Sequence, residues 1–482
     1  VARAVAAGRL SATSAARYRA AVDTAVAVWR RLPGARATNL AGALREAAAL
    51  APRYDEPRAL AIFAGLEVNT DYFSSHAAPS RTIDVEGEDG VVYRLFAPRG
   101  LQFHPLANFA KLNTHAARKD YEATARLAEA LLMRALPVRA GLTWEYYFPF
   151  GGGRAPWTSG MAQAVAAQAF ARASAALGDP ALLEPASQAY RAATALVRAT
   201  SAGPWVRLYS FSSMLVLNAQ LQAALSIADY AKASGSPDAA VFATRFEQAA
   251  VAMLPRFDTG AWSLYALGGA EAPLKYHSYV VSLLERLAQR TQSPAWADAW
   301  ARFDSYLALP PDVAPLATMG IVYPLPRDGF RDRASVTFSL SKKSTVRLVV
   351  AGEQRPFTVP RGRHTLSWNP GRRAPRRYAA RLVATDLAGN TTELALPAIE
   401  VRRDTEPPAV AALVQGRTLT WDVFDEGTPW LHLTVVVERG RTRTRLELGR
   451  RGFKGSYRLP QSGVPVELVV ADSAGNRTTV AL

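Results

Sequence analysis

Residues 257–277 read FDTGAWSLYALGGAEAPLKYH and separate two helical segments of the chain. The FDTG opening is typical of a turn, and residues 262–267 favour a short extended run. A glycine pair and Pro273 then interrupt the backbone before the next helix opens. Two tyrosines, a histidine and a lysine thus stand in an apolar stretch where packing alone would not require them. We expect Tyr265 and Tyr276 to face one space from two different elements.

Apolar residues recur at helical spacing on both sides of this stretch. Helices are predicted near residues 102–116, 119–135, 158–175, 180–200, 211–233, 237–253, 278–290 and 293–306. Successive antiparallel pairs favour an (α/α) barrel or toroid over residues 101–308, which we take as the catalytic domain. Residues 1–70 are predicted to be a helical N-terminal support, and residues 71–100 a β-hairpin region. Aromatic residues in the loops between pairs indicate one lined cleft.

The helical period ends after a predicted linker at residues 309–326. Residues 327–404 and 405–482 alternate apolar and polar positions, which predicts two antiparallel β-sandwich domains. Each has an Asp-x-Ala-Gly-Asn turn near its end, at Asp386–Asn390 and at Asp472–Asn476. This repeat is similar to bacterial immunoglobulin-like modules, for which a spacer role is favoured over glycan binding. The predicted fold class is therefore multidomain, α followed by β.

Composition excludes several classes of site. The chain has no cysteine, so disulfides, thiol catalysis and cysteine metal sites are absent, and its six histidines lack metal-ligand spacing. Lys and Arg number 57 against 40 Asp and Glu, and 57 − 40 = +17 favours acidic partners. No apolar stretch is long enough to span a membrane. We expect no metal and no cofactor.

Common catalytic motifs are also missing. Gly151-Gly152-Gly153-Arg154 lacks the Lys-Ser/Thr ending of a phosphate loop and follows no strand, so a flexible loop is the favoured interpretation. Neither a G-x-S-x-G elbow nor an HExxH motif occurs. No helix is basic along one face, which argues against nucleic-acid binding.

The segment FDTGAWSLY followed by KYH resembles the C-terminal motifs of the D-glucuronyl C5-epimerases. Three further stretches agree with that family in order: Phe103-His104-Pro105, the WTSGMAQ run of residues 157–163, and Tyr209 ahead of Val216-Leu217-Asn218. Together these motifs cover about residues 90–300 and leave the sandwiches out. The resemblance implies an isomerase that removes the C5 proton of a uronate and returns one to the other ring face.

The resemblance assigns roles residue by residue. Tyr209, Tyr265 and Tyr276 match functional tyrosines, and tyrosine suits both acid and base roles if a nearby cation lowers its pKa from about 10. The enediolate formed on the way needs donors or cations. The residues expected to contact substrate are Arg154, Trp157, Gln163, Arg207, Asn218, Lys275, His277 and His104. Among them, Arg154, Arg207, Lys275 and His277 are the candidates to neutralise the carboxylate.

Two positions depart from the family pattern. Arg207-Leu208 stands where the family has acid before its tyrosine, and Ala266-Leu267-Gly268-Gly269 stands where it has Asp-Leu-Arg-His. Two other functions stay open: a polysaccharide lyase, which forms the same carbanion, and a non-catalytic glycan-binding or envelope protein. The expected partner is an acidic polysaccharide containing glucuronate, with a homodimer as a possible assembly. We expect a secreted or cell-surface location, with a signal peptide already removed ahead of Val1.

Overall fold

A computed structural model describes residues 1–482 and divides them into two compact units, Val1–Ser305 and Tyr306–Leu482. The first unit is mainly helical and the second is built of strands. This arrangement confirms the predicted fold class of an (α/α) region followed by β-sandwiches. No helix combines the length and apolar character needed to cross a membrane.

The helical unit contains twelve α-helices and nine short strands. Its helices are α1 Ala2–Ala6, α2 Ala12–Trp29, α3 Gly34–Ala49, α4 Glu56–Ser75, α5 Pro105–Arg118, α6 Tyr121–Leu132, α7 Gly160–Leu177, α8 Leu183–Ala195, α9 Leu217–Ser234, α10 Pro237–Met253, α11 Leu274–Thr291 and α12 Pro294–Ser305. Its strands are β1 Asp84–Glu86, β2 Val92–Leu95, β3 Leu101–Phe103, β4 Leu136–Val138, β5 Gly141–Thr143, β6 Glu145–Tyr146, β7 Trp157–Thr158, β8 Val197–Thr200 and β9 Gly203–Val206. Three-residue or four-residue 3₁₀ turns occupy Ala51–Arg53, Pro180–Leu182 and Leu254–Phe257.

Helices α5, α7, α9 and α11 form an inner layer in which each helix packs on the next, and α6, α8, α10 and α12 pack outside them. Helices α7 and α9 are buried along nearly their whole length. Their alanine-rich sequences allow this, because small side chains let neighbouring backbones approach closely without leaving voids. Ser159 caps the N-terminus of α7 by accepting from the Ala162 N–H, and Gly178 ends it in the left-handed conformation.

A three-stranded sheet of order β1-β2-β3 precedes the inner helices. Asn108, on α5, holds β2 by accepting from Val92 N at 2.7 Å and donating to Val92 O at 2.9 Å. Asn69, on α4, makes the equivalent pair of bonds to Leu101 in β3. Because such buried bonds each contribute about 1 kcal/mol, the sheet has a fixed position against α5. That position brings β2 to the cleft described below.

The β unit holds two sandwiches with separate cores. Its strands are β10 Val313–Met319, β11 Ile321–Val322, β12 Ala334–Leu340, β13 Ser344–Val350, β14 Glu353–Val359, β15 Gly362–Trp368, β16 Arg376–Asp386, β17 Thr391–Val401, β18 Ala409–Gln415, β19 Thr418–Phe424, β20 Leu431–Arg439, β21 Thr442–Arg451, β22 Lys454–Arg458, β23 Val464–Ala471 and β24 Arg477–Ala481. The first sandwich has sheets of order β10-β12-β15 and β11-β17-β16-β13-β14, and the second β18-β19-β22 and β21-β20-β23-β24.

One segment of this unit differs from its prediction. Residues 309–326 were expected to form a linker, yet β10 and β11 lie within them. Strand β10 pairs with β12 and shifts register between Pro315 and Ala317. A proline has no N–H to donate, and a register shift is a place where a ladder tolerates that loss. The proline-rich composition therefore concealed a real strand.

Candidate active site

A cleft of about 660 Å³ opens among the inner helices of the helical unit. Each inner helix contributes one face to it. On α7 the lining residues are spaced by three or four positions, from Met161 to Arg172, and on α11 they run from Tyr276 to Arg286. Loops and strand β2 complete the wall near the helix N-termini. The cleft therefore runs lengthwise along the inner helices, starting from the end where those helices begin.

Three tyrosines meet at that end of the cleft. The Tyr209 and Tyr265 hydroxyls lie 3.2 Å apart and share a hydrogen bond. The ring of Tyr276, whose residue is 43% exposed, contacts that of Tyr265 edge-on at a centroid distance of 5.1 Å. A pyranose ring does not fit between two aromatic rings at that distance, so a sugar could meet the hydroxyls and not lie sandwiched between the rings.

Loop 257–277 positions Tyr265 through its own hydrogen bonds. The Tyr265 N–H donates to Ala270 O, and its carbonyl accepts from Leu217 N at the start of α9. The extended run predicted over residues 262–267 is replaced by single bridges, including Val216 to Ala266. Tyr276 lies in the first turn of α11, which begins after Pro273. Two different elements thus present the two tyrosines to one space.

Burial controls the acidity of this pair. It raises the pKa of Tyr209, and the hydrogen bond from Tyr265 opposes the rise. Burial also raises the pKa of Tyr265, and the bond to Tyr209 adds to the rise. Either hydroxyl can donate in this bond, and when one of the two ionises the other is placed to donate to it. The cation expected to lower these pKa values is not among the causes of the shift for either tyrosine.

The charged groups that line the cleft are all arginines: Arg94, Arg172 and Arg286. Arg94, on β2, is held by Asp84 through bonds of 2.7 and 2.8 Å from Nε and Nη2. Arg172 pairs with Asp229. Arg286 is exposed and forms no ion pair. Because no aspartate or glutamate lines the cleft, its walls favour an anionic ligand.

His104 caps α5 and also lines the cleft. Its Nδ1 accepts from the Ala107 N–H at 3.0 Å, so the neutral ring carries its proton on Nε2. Burial lowers the pKa of His104 to about 3, and the positive charge of Arg94 adds to that effect. His104 is therefore an uncharged hydrogen-bond donor beside Arg94.

Asn218, the second residue of α9, is 5% exposed and lines the cleft. Its side-chain amide makes no hydrogen bond within the protein. Trp157 lines the cleft as well, stacked on Tyr146 at 4.0 Å. Its indole N–H donates to Phe148 O. An aromatic floor and an unpaired amide are what a sugar ring with hydroxyl groups requires.

Five residues predicted to bind substrate do not line this cleft: Arg154, Gln163, Arg207, Lys275 and His277. Lys275 precedes Tyr276 on α11, and successive helical residues point about 100° apart. His277 is fully buried, accepting from Ser263 and donating to Phe303 O at 3.0 Å, and it stacks on Trp262. The histidine of the KYH motif therefore secures loop 257–277 to α12.

The other three predicted residues, Gln163, Arg207 and Arg154, either hold the backbone in place or lie on the surface. Gln163 is fully buried and bonds both the N–H and the carbonyl of Trp144. Arg207 lies between Leu196 and Gly160, with backbone bonds to each. Arg154 follows the glycine-rich loop and is exposed. The cations expected around a substrate carboxylate are thus replaced by the cleft arginines.

Sequence reasoning missed several polar residues of the cleft: Arg94, Asn113, Gln168, Arg172, Gln222, Tyr279 and Arg286. One signal was present. Gln168 and Arg172, like Asn218 and Gln222, are polar residues four positions apart on helices otherwise rich in alanine. Such a spacing places both on one helical face. A polar pair on a buried face indicates a cavity lined by that face.

The donors that could hold a metal ion lie in the β unit. Carboxylate oxygens of Asp404, Asp425 and Asp472 come within 4.8 Å of one another. Burial raises the pKa of Asp404 to about 6, with the charges of the other two adding to the rise. Acidic clusters of this kind are common without an ion. The cleft itself offers no carboxylate for a cation.

Comparison with known proteins supports the resemblance over part of the chain. Residues 140–305 match the family model described as D-glucuronyl C5-epimerase C-terminus. That range includes all three tyrosines, Trp157, Asn218, Arg172 and Arg286. The resemblance of this region to the C5-epimerase family is therefore confirmed. A search of curated proteins finds no match.

Several solved structures are similar at low identity. The GH76 alpha-mannanase of Bacteroides thetaiotaomicron shares 12% identity and a TM-score of 0.32, over 42% of this chain and 60% of that one. D-mannose isomerase shares 14% identity with a TM-score of 0.34, over 43% of this chain and 58% of that one. The family 8 endoglucanase Cel10 of Klebsiella pneumoniae shares 13% identity with a TM-score of 0.34, over 45% of this chain and 73% of that one. The chain thus spans less than two thirds of the first two structures.

Proposed function

We propose that the helical unit is a uronyl C5-epimerase acting on glucuronate residues of an acidic polysaccharide. The observation that carries the proposal is the hydrogen-bonded pair Tyr209 and Tyr265, beside Tyr276, in a cleft whose charged residues are all arginines. The family match over residues 140–305 supports the same assignment.

Tyrosine chemistry accounts for the reaction without an added oxidant or reductant. The C5–H bond of the uronate breaks, its proton passes to a phenolate oxygen, and its electron pair delocalises into the carboxylate as an enediolate. A neutral tyrosine then protonates C5 from the opposite face. We assign the phenolate to Tyr209, which accepts from Tyr265, and the acid to Tyr276. The roles exchange in the reverse direction.

The enediolate carries more negative charge than the ground state and needs fixed donors. Arg94 uses two of its five N–H groups on Asp84 and keeps the others for a ligand. His104 adds a neutral donor on the same side of the cleft. Both are held in place before the substrate arrives, which is the condition under which such groups favour a transition state. Asn218 is left to bond sugar hydroxyls.

The test is incubation of the full chain with an unsulfated glucuronate polymer such as heparosan in deuterated water. We expect deuterium at C5 and a mixture of both C5 epimers. A new C4–C5 double bond, detected by ultraviolet absorbance, would instead identify a lyase, because elimination starts from the same carbanion. Binding of glucuronate polymers without exchange in any of them would leave a glycan-binding protein and overturn the epimerase.

A further inference from the structure

The cleft continues well beyond the three tyrosines. Tyr276 and Arg286 are ten residues apart on α11, which corresponds to about 15 Å along the helix axis. Met161 and Arg172 on α7 are separated by about 16 Å on the same basis. The cleft is thus longer than the site of one proton transfer requires. Its far part has polar walls of its own.

A hydrogen-bonded chain of side chains fixes those walls. The Tyr279 hydroxyl donates to Gln222 Oε1 at 2.7 Å, and Gln222 Nε2 donates to Ser226 Oγ at 2.8 Å. Ser226 donates to Gln168 Oε1, and Gln168 Nε2 donates to Asp229, which also accepts from Arg172. Because these hydrogen bonds fix the orientation of each side-chain amide in the series, the wall is organised in advance of any ligand.

Two features of this wall are left for a ligand. Arg286 lines the cleft and has no ion pair. Asn113 donates to Gln168 Oε1 at 3.2 Å, while its own Oδ1 is buried without a hydrogen-bond partner. A buried acceptor without a donor costs about 1–3 kcal/mol. An anionic group would satisfy the arginine, and a hydroxyl would satisfy the asparagine.

We infer that Arg286, Arg172, Asn113 and Gln168 form a second subsite for an acidic sugar residue. This sugar belongs to the same polysaccharide as the sugar at the tyrosines and lies further along that polysaccharide. An acidic sugar carries both groups that the wall lacks, an anion and hydroxyls. The inference rests on the proposed function for its substrate class. The anion is a carboxylate of a neighbouring uronate or a sulfate on the intervening sugar.

The test measures affinity against chain length by isothermal titration calorimetry. Its ligands are glucuronate-containing oligosaccharides of two, four and six residues. For Arg286→Gln we expect about a tenfold loss of affinity for the longest ligand, as for a hydrogen bond to a charged group, and a smaller loss for the shortest. Arg286→Glu should lose more. The control is Arg118→Gln, an exposed arginine on α5 without an ion pair, which should match the unchanged protein.

Thermal melting of each variant shows whether it folds. Because Arg286 is exposed, we expect the melting temperature of its variants to stay unchanged. Equal losses at all lengths, or none, would overturn the subsite. Oligosaccharides with neighbouring carboxyl groups reduced, or with sulfate added, identify which anion binds. Deuterium exchange by the unchanged protein is scored separately. Exchange without length dependence rejects the subsite alone, and length dependence without exchange rejects the epimerase alone.

Discussion

The turn at Asp386 in the β unit and the cleft in the helical unit use their polar side chains in opposite ways. In the β unit, Asp386 accepts from the N–H groups of Ala388 and Asn390, from the Asn390 amide and from Lys342. Every oxygen is used to hold a turn. In the helical unit, the Asn218 amide and the Arg286 guanidinium line a cleft and make no side-chain hydrogen bond within the protein. Unused bonding capacity along a cleft is therefore one sign of a binding site.

The Asp-x-Ala-Gly-Asn repeat makes this contrast clearer. Asp472 accepts from both nitrogens of Asn476, as Asp386 does from Asn390. Both turns share these bonds between Asp and Asn, so the repeat describes how a hairpin closes. The FDTG motif of the helical unit is similar in kind, since Asp258 accepts from Gly260 N and pairs with Arg302. Only the tyrosine that follows reaches the cleft.

The largest expected effect comes from removing a proton-transfer hydroxyl. Tyr209→Phe and Tyr276→Phe should each lower the C5 exchange rate by about 10³-fold, because phenylalanine keeps the stacking and loses the acid or base. Tyr265→Phe should cost less, since it removes only the donor that stabilises the Tyr209 phenolate. Rates are measured by deuterium incorporation. Unchanged exchange in all three variants would reject the assignment of the tyrosines.

Loss of the fixed cation should rank next. Arg94→Gln is expected to lower kcat by about 10²-fold, as for removal of one preorganised donor. The variant also leaves Asp84 without its partner, so the double variant Arg94→Gln with Asp84→Asn is the control. A double variant with normal kcat would show that the single change acted through the stranded carboxylate.

Acidity gives a graded effect, which for each single pH unit is smaller than the loss of a fixed donor. Because burial raises the pKa of Tyr209 above its ordinary value of about 10, the phenolate fraction at neutral pH is small and grows with pH. The measured kcat/KM should therefore rise about tenfold per unit between about pH 7 and pH 10. A plateau near neutral pH would mean that the base has a lowered pKa and lies elsewhere.

The smallest effect on exchange is expected from the β unit. Asp386→Asn leaves Lys342 buried without its carboxylate, where their side chains are 0% and 1% exposed. The free energy of unfolding of this unit should fall by about 3–5 kcal/mol. Glu393→Gln, at the exposed pair with Arg381, should cost under about 1 kcal/mol. Denaturant unfolding measures both.

The exchange rate per folded molecule should not change in Asp386→Asn. The rate is measured without denaturant, at a temperature where the variant stays folded. A fall in the rate under those conditions would remove the distinction between scaffold and site drawn above. It would assign the β unit a part in the reaction.

Local sequence rules predicted the helices well and the cleft only in part. Helix 237–253 has its predicted bounds, because Ser236 and Pro237 give an unambiguous start. The helix expected at 278 begins at Leu274, since Pro273 caps it. Which face of that helix meets the cleft depends on packing, and the sequence alone did not show that Tyr276 lines the cleft while Lys275 and His277 do not. Adjacent helical positions cannot share one face.

Arg94 could not be found from its neighbours in the chain. It lies on a strand more than a hundred residues before Tyr209, and the Asn108 clamp on Val92 brings that strand to the cleft. The tyrosines were identified by motif, whereas their raised pKa values follow from burial that no motif records. Contacts distant in sequence therefore set the electrostatics of the site.

Proton NMR of a glucuronate polymer incubated with the full chain in deuterated water tests the central claim most directly. The account predicts that both C5 epimers appear, that each carries deuterium at C5, and that no unsaturated sugar forms. Retention of every C5 proton across a panel of glucuronate polymers would contradict it.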